Sequence, residues 1–388
     1  MRIFVLGVGA TGSLLAQLLV RQGHQVVCGD RDPERARRFL GRRSTIEVRD
    51  VNARNLWGIV RAARGSQLIV NASAAVLNEI VLRAALRLRA HYLDMSSHLT
   101  RNPFKAEQLR YARRYEDKRR VAVINAGVAP GLTNLLARKG ADLLDKVESV
   151  HIRLYEATES DDPVSQWSAA GSFDEATSRP RILRQGRFKL AKRFSERENF
   201  RFAQPIGEVG VVLAAQDEVA TLPHFIPMDE MDVKIGGNEI DRLRRWYRQG
   251  KLSKSAGISH KRFPKTLTPR GVAKLIRKGT LQNARFGAAV IVAGIKKDEP
   301  LRIRWDCQFP TLYQIRLWGL AVSPVAYATS TLAALFVRHF PKDEAGVLAP
   351  EALPAETRQA ILKDVRARGF RMTQRITRLK KEDDDELF

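Results

Sequence analysis

The chain has 388 residues, 44% of them hydrophobic and 28% charged, which is a soluble globular composition with room for two domains. Two cysteines, Cys28 and Cys307, exclude a disulfide framework and are expected as reduced thiols. The net charge of +25, from 67 Lys and Arg against 42 Asp and Glu, draws anions of every kind, yet no helix-turn-helix, zinc-finger or RNA-recognition pattern accompanies it, so no specific nucleic-acid partner is expected.

The apolar run 3–6 feeds into Gly7-Val8-Gly9-Ala10-Thr11-Gly12, which reads as a strand, a tight turn and a helix start. In a dinucleotide fold Gly7 permits the turn, Gly9 lets a pyrophosphate approach the backbone, and Gly12 lets helix and strand pack closely. The pyrophosphate then meets free amides at the helix start, around Ala10 and Thr11. Leu14, Leu15, Leu18 and Leu19 give the helix an apolar face, and Gly23 closes it. A second strand from Gln25 ends at Asp30, 18 residues beyond Gly12; an acid there accepts from the adenosine ribose and favours NAD. Arg31 either pairs with the 2′-phosphate of NADP or lies flat on the adenine. NAD is the expected cofactor, with NADP tolerated. Asp32 reads as an N-cap, with Pro33 at the first helical position.

Further strands are expected at 46–48, 67–71, 91–94 and 121–125, with helices over 52–63, 76–88 and, strongly basic, 104–119. This alternation implies right-handed crossovers and a Rossmann-type, doubly wound parallel sheet. Ligands of such sheets lie beyond the carboxyl ends of the strands, which picks out Asn71-Ala72-Ser73, Asp94-Met95-Ser96-Ser97 and the run Ala126 to Gly131. From about residue 147 the pattern changes to period-two alternation at 151–155, 209–213, 288–293 and 301–305, the mark of a mixed or antiparallel sheet. The fold class is therefore α/β, with a dinucleotide-binding domain over 1–131, an inserted α+β substrate domain over 132–316 and a C-terminal segment over 317–388. Residues 317–337 carry no charge and are long enough to span a bilayer. Ser323, Pro324 and the Thr329-Ser330-Thr331 run make a buried helix the expectation instead. An amphipathic helix over 354–368 and a last strand over 370–376 follow.

With these pieces placed, the chain resembles the saccharopine dehydrogenase family over most of its length. The carriers are the glycine turn with Asp30-Arg31, Asn71-Ala72-Ser73, His91-Tyr92-Leu93-Asp94, the run Gly127 to Asn134, Trp167-Ser168, and Gly346-Val347-Leu348-Ala349-Pro350-Glu351. The resemblance implies a nicotinamide-dependent oxidoreductase whose chain returns to the first domain after about Leu317. It also implies a chemistry, reversible formation of a secondary amine by hydride reduction of an imine. One departure stands out: members often carry Gly-Gly-Leu-Pro after the first strand of the substrate domain, where this chain has Tyr155-Glu156-Ala157-Thr158-Glu159.

These readings give Gly7, Gly9, Ala10, Thr11, Gly12, Asp30, Arg31, Asn71, Ala72, Ser73, Ser96 and Gly127 as cofactor-binding candidates. Pro130, Gly131 and Trp167 are substrate-binding candidates, as are Arg179 and Arg181, which follow Trp167-Ser168, where the family binds substrate; an Arg fork suits a carboxylate. His98 is the histidine best placed for proton transfer, the alternative being a solvated loop histidine. Asp94 either orders its loop or touches substrate or nicotinamide ribose. The seven histidines show no metal-ligand spacing with one another or with the cysteines, so no metal is expected. Net charge favours an anionic, acidic amino-acid substrate over a polyamine. The expectation is a cytoplasmic NAD(P)-dependent oxidoreductase of an amino-acid-derived secondary amine or imine, working as a homodimer. The alternative is a nucleotide-responsive binding protein, or one in peripheral contact with an anionic membrane surface, that keeps the fold without the catalysis.

Overall fold

Ile3, Phe4, Val5 and Leu6 are each at most 1% exposed, and burial on both faces is what a central strand of a parallel sheet requires. This strand is β1 (Arg2–Leu6). With β2 (Gln25–Asp30), β3 (Glu47–Asp50), β4 (Leu68–Asn71), β5 (His91–Asp94), β6 (Val121–Val123) and the late strand Gly346–Leu348 it forms a seven-stranded sheet. The computed structural model describes residues 1–41, 44–161, 164, 166, 169–252 and 268–379. All pairings of this sheet are parallel, in the order Gly346–Leu348, β6, β5, β4, β1, β2, β3. The order reverses between β1 and β4, so a crevice opens there beyond the strand ends. Helix Ala10–Arg21 leads from β1 to β2, and the doubly wound Rossmann-type architecture is present.

The basic stretch 104–119 is not one helix. A 3₁₀ turn, Glu107–Tyr111, precedes a short helix, Ala112–Glu116. Gln108, fully buried, reaches back to Asp94 at 3.0 Å and to the Ser96 carbonyl at 3.1 Å. Glu107 accepts from the Arg101 amide at 2.7 Å. These inward anchors bend a segment that its composition would have made a surface helix.

The second sheet is built on β7 (Lys146–Ser160), a 15-residue strand. It pairs in parallel with Glu230–Gly236 and antiparallel with Leu281–Lys296. Outward lie Glu208–Leu213 and Glu198–Arg201 on one side, and Glu299–Gln308 and Arg371–Arg378 on the other. A hairpin, Arg181–Arg184 with Arg187–Leu190, joins the Glu230–Gly236 strand. Alternation along β7 sends Val150, Ile152 and Leu154 into the apolar core and His151 and Arg153 to the other face. There Arg153, 5% exposed, meets Glu198 and Asp232, each at 2.5 Å. Arg184 reaches Asp232 at 2.8 Å and Lys234 reaches Glu198 at 2.6 Å. Part of the basic excess between Arg179 and Arg201 is thus paired; in the other basic stretch, residues 253–267 lie outside those described.

The charge-free run 317–337 is broken. A short helix ends at Leu317, and a second, Pro324–Arg338, begins after Ser323, whose Oγ accepts from the Ala326 amide at 3.1 Å. This buried helix lies on Ala10–Arg21, with Ser330 Oγ donating to the Thr11 carbonyl at 2.8 Å and Gln22 Nε2 to the Ala334 carbonyl at 3.2 Å. Among the described residues no helix is long and apolar enough to cross a membrane. Beyond it, Gly346–Leu348 pairs with β6 while Arg371–Arg378 pairs with Glu299–Gln308, so the final segment feeds both sheets.

Burial alone would raise the Asp232 carboxyl, but Arg153, His151 and Arg184 hold it well below the usual carboxylate range. Asp232→Asn takes from Arg153 the more buried of its two carboxylate partners and leaves Glu198, so chemical denaturation at neutral pH should show a loss, below the about 3–5 kcal/mol of a buried charge left wholly unpaired. A depressed carboxyl contributes stability above its unfolded value, so the gap between parent and variant should narrow as pH falls below the ordinary Asp value of 3.8.

Candidate active site

The first turn is shaped by glycine at two places where a side chain has no room. A Cβ on Gly7, at φ +95°, would lie 2.8 Å from the backbone of Ala72 and Ser73, and one on Gly12 would lie 2.0 Å from the Gly7 carbonyl oxygen. A Cβ on Gly9 would meet nothing within 4 Å. The helix that starts at Ala10 has no side-chain cap and no acid in its first turn, so its leading amides face that opening. This is a cradle for an anionic group at a helix N-terminus.

Asp30, 8% exposed, stands at the edge of the cradle. One carboxylate oxygen accepts from the Val8 amide at 2.8 Å and the other from the Asp32 amide at 3.1 Å, which holds the charge against the glycine turn. Arg31 is exposed. Asp32 accepts from the Arg35 amide at 2.9 Å and caps the helix Pro33–Leu40. The residues present therefore fit a dinucleotide: free amides for the diphosphate and a fixed acid for the ribose.

The loops beyond β4, β5 and β6 are tied to one another. Asn71 accepts from the Ser73 amide at 3.1 Å and hydroxyl at 2.5 Å, and donates to Asn78 at 2.7 Å. Asn78 in turn donates to the Ser96 carbonyl at 2.8 Å. Asp94, 1% exposed, accepts from Tyr92 at 2.9 Å, Gln108 at 3.0 Å and the Asn125 amide at 2.9 Å. Burial pushes its carboxyl up to about 7 against those donors. Of the two roles open to Asp94, ordering the loop is the one its contacts serve. His98 has both ring nitrogens engaged, Nδ1 with Glu79 at 2.7 Å and Nε2 with Thr100 at 2.6 Å. Glu107 joins this group, and the three side chains bring ligating atoms within 4.8 Å of one another.

Gly127, Pro130 and Gly131 are buried and shape the turn after β6. A Cβ on Gly131, at φ +136°, would lie 1.9 Å from the Gly127 carbonyl oxygen. Asn134 accepts from the Gly131 amide at 2.9 Å and donates to Glu351 at 3.0 Å. Two motifs more than 200 residues apart, Gly127 to Asn134 and Gly346 to Glu351, thus meet in space. Thr133 donates to Glu218 at 2.9 Å. Glu218 and Glu351 are fully buried, each with one oxygen unpartnered, and burial raises them to about 8 and about 7.

Ala10 and Ser323 from the nucleotide side line one cleft with Thr158 and Gln166 from the substrate side; its other walls include Val164, Val272, Leu281 and Leu312. Ser323 donates to the Gln166 carbonyl, closing one wall. Behind Thr158, outside the lining of this cleft, carboxylates gather. Glu239 accepts from Thr158, Glu175 from Gln216 at 2.5 Å, and Asp217 from the Ser97 amide at 2.9 Å. Glu156 has no hydrogen-bond or ion-pair partner among the described residues, and burial with the charges of Glu239 and Glu175 holds it well above the usual range. Burial takes Glu175 to about 7, and takes Asp217 to about 6 against the pull of Arg181. Arg181 is 9% exposed with its Nε unpartnered. Arg179 is exposed and spends its guanidinium on the Ala191 and Leu190 carbonyls of its own hairpin. Trp167 lies outside the described residues.

Residues 3–123 match the family model described as the saccharopine dehydrogenase NADP binding domain. The nucleotide domain belongs to the saccharopine dehydrogenase family. That membership places the chain among NAD(P)-dependent oxidoreductases with a nicotinamide dinucleotide as cofactor. The whole chain shares its fold with apo saccharopine dehydrogenase (L-Glu forming) from Saccharomyces cerevisiae, at 12% identity and TM-score 0.71, covering 97% of this chain and 99% of the yeast one. A probable dehydrogenase from Thermotoga maritima (10% identity, TM-score 0.43, 94% of each chain) and a meso-DAPDH variant from Clostridium tetani (10% identity, TM-score 0.42, 92% and 95%) are too distant to inform the site. Beside the saccharopine dehydrogenase cradle, reading by motif missed Glu156, Glu175, Asp217 and Glu239. Glu156 carried a usable signal: it continues the core-facing alternation Val150, Ile152, Leu154 with an acid.

A carboxyl raised in the folded state contributes stability that is lost as pH climbs from its unfolded value through its folded one. Glu218→Gln keeps an acceptor for Thr133 and removes the ionisation, so its melting temperature should hold between pH 5 and 8.5 better than that of the parent. In the cradle, Gly9→Ala should melt like the parent without nucleotide, since its Cβ meets no protein atom, yet bind reduced dinucleotide at least about tenfold more weakly by fluorescence titration.

Proposed function

We propose that the protein moves hydride between a nicotinamide cofactor and an amino-acid-derived secondary amine or its imine, with NAD preferred over NADP. The observation that carries this reading is the uncapped helix start beyond Gly9, flanked by Asp30 and opening at Ala10 on a cleft shared with the substrate domain. The cofactor supplies hydride chemistry when bound. The chain's part is to bind and orient: the leading amides of Ala10–Arg21 take the diphosphate, Asp30 takes the ribose, and the Ser323–Gln166 contact holds the two sides of the cleft together. Oxidation of the amine removes a hydride from the carbon next to nitrogen and a proton from the nitrogen, leaving C=N; reduction of the imine restores both. Apolar walls at Val164, Val272, Leu281 and Leu312 limit water around that bond.

Asp30 decides the cofactor. Its two amide donors hold a negative charge where a 2′-phosphate would sit, whereas Arg31 is exposed and exposed pairs contribute only about 0–1 kcal/mol. Titration at two salt concentrations should show NADH bound about tenfold more tightly than NADPH, with the difference shrinking in Asp30→Ala. Tighter NADPH binding that survives high salt and disappears in Arg31→Ala would reverse the assignment. Absorbance at the reduced-nicotinamide band, read while amines are offered with the oxidised cofactor, tests the reaction. Silence across a broad panel with nucleotide still bound would favour a nucleotide-responsive binding protein.

A further inference from the structure

Two helices that wall the cleft, Pro269–Arg277 and Leu312–Leu317, each have an outer side that the cleft does not use. Inside they pack together: Val272, Leu281, Ala284 and Leu312 belong to one small apolar cluster, with Leu275, Ile276 and Ala321 against it. The helix Leu312–Leu317 is apolar on its outer side as well. Leu312 and Ile315 are at most 1% exposed, whereas Tyr313, Leu317 and the next residue, Trp318, are 58%, 69% and 49% exposed. Tyr313 and Leu317, four residues apart, stand on the same side of the helix. These three are among seven large hydrophobic side chains exposed in the described residues, and gathered apolar exposure of this kind marks a surface that meets something other than water.

The ridge is held in place. Thr311 Oγ accepts from the Gln314 amide at 3.3 Å and Gln314 Oε1 from the Thr311 amide at 2.9 Å, while the Tyr313 amide donates to Asn283 at 3.3 Å. Trp318 lies 5.5 Å from the Tyr327 ring and so close to Gly369 that a Cβ there would stand 3.1 Å from the indole. Cations flank it. Arg316 is exposed on the ridge helix, and Arg270, Lys274, Arg277 and Lys278 are exposed along and just after the neighbouring one. None of the five has an ion-pair partner among the described residues. Four of them end the stretch from Asp241 to Lys278, which holds 13 Lys and Arg and one acid. The acids beside them are Asp161, whose amide donates to the Thr280 carbonyl at 2.9 Å, and Glu159, which Arg285 meets at 3.2 Å.

We propose that this face docks on an anionic lipid bilayer. Tyr313, Leu317 and Trp318 enter the interfacial layer, where rings and aliphatic side chains leave water, and Arg270, Lys274, Arg277, Lys278 and Arg316 meet the headgroup phosphates. A second copy of this chain fits poorly, because a two-fold contact sets each patch against itself and brings like charges together. A nucleic acid would satisfy the cations through its phosphates and leave Leu317 facing charge. A bilayer is anionic at its surface and apolar beneath, so it matches both halves of the patch, and docking of this kind needs no spanning helix. The same two helices give Pro269, Val272 and Leu312 to the cleft, which sets the docked surface beside the cleft. The docking surface is a statement about binding and stands whether or not the hydride-transfer reading holds.

Flotation of the full-length protein with vesicles of phosphatidylcholine, alone or with about 30% phosphatidylglycerol, tests the surface. The protein should rise with the anionic vesicles and stay behind with the neutral ones. High salt should weaken the binding without abolishing it, since salt screens the cations and not the apolar ridge. The double variant Tyr313→Ser, Leu317→Ser should bind at least about tenfold more weakly, as should Lys274→Glu with Arg277→Glu. All four side chains are exposed, so both variants should melt like the parent. Trp57→Ser removes an equally exposed aromatic, at 58%, from the nucleotide domain and should leave vesicle binding unchanged. No binding to anionic vesicles, unaltered binding in the Tyr313 and Leu317 variant, or lost binding in Trp57→Ser would each overturn the docking surface. So would tighter binding of a nucleic-acid duplex that the Tyr313 and Leu317 variant leaves unaltered, or a dimer of the parent that this variant dissolves.

Discussion

Much of this molecule follows from one close approach, that of Gly12 to the carbonyl of Gly7. Because neither residue carries a side chain, helix Ala10–Arg21 can begin directly above the end of β1, with its leading amides uncapped and facing outward. The same closeness lets Ala72 and Ser73 lie against Gly7 from the other side of the crevice. It also lets the late helix Pro324–Arg338 seat Ser330 on the Thr11 carbonyl. A chain segment more than 300 residues away is thereby fastened to the first turn, and its leading residue Ser323 reaches on to Gln166 of the substrate side. Helix packing, cradle and cleft wall are consequences of a single missing Cβ pair.

Charge in this protein acts at two scales. Over the surface, Lys and Arg outnumber Asp and Glu widely, and the resulting field is a general one, screened within a Debye length of about 8–10 Å. Inside, the ionisable groups that matter are acids: Asp94, Glu218 and Glu351 in the loop network, Glu156, Glu175 and Asp217 on the substrate side, each with its carboxyl raised by burial. Cysteine follows the same rule, since burial lifts Cys28 to about 12 and leaves it a packing residue. Arginines enter the interior where acids meet them, as Arg153 does at Asp232 and Glu198.

The parts of the structure that are locally determined were legible in the residues. The β1 turn is dictated by backbone geometry that glycine supplies, Asp32 by the local chemistry of a helix start, and the parallel sheet by runs of aliphatic residues at regular spacing. What escaped is what depends on distant partners. The stretch 104–119 looks helical until Gln108 is seen to be bonded to Asp94, and the run 317–337 looks continuous until the turn before Ser323 is placed. Arg179 and Arg181 are two residues apart in one basic run, yet one braces a hairpin at the surface and the other is buried beside Asp217. Composition cannot separate them. Glu175 and Glu239 sit on helices whose meeting with β7 is a tertiary event, whereas Glu156 was visible as an acid breaking an apolar alternation.

The length of β7 bears on how such a protein can change. Its pairing with Leu281–Lys296 runs nearly end to end, setting Phe286 opposite Glu156 and Val290 opposite Ile152, and side chains of a strand alternate faces with period two. Inserting or deleting one residue within it would turn Glu156 to the opposite face and, at the same stroke, bring Arg153 and His151 into the apolar core. The register shifts of this pair fall near its ends, at Leu281/Asn283 and Ala293/Gly294, so in the middle of the strand the exchange of one side chain for another is the change that leaves both faces in place.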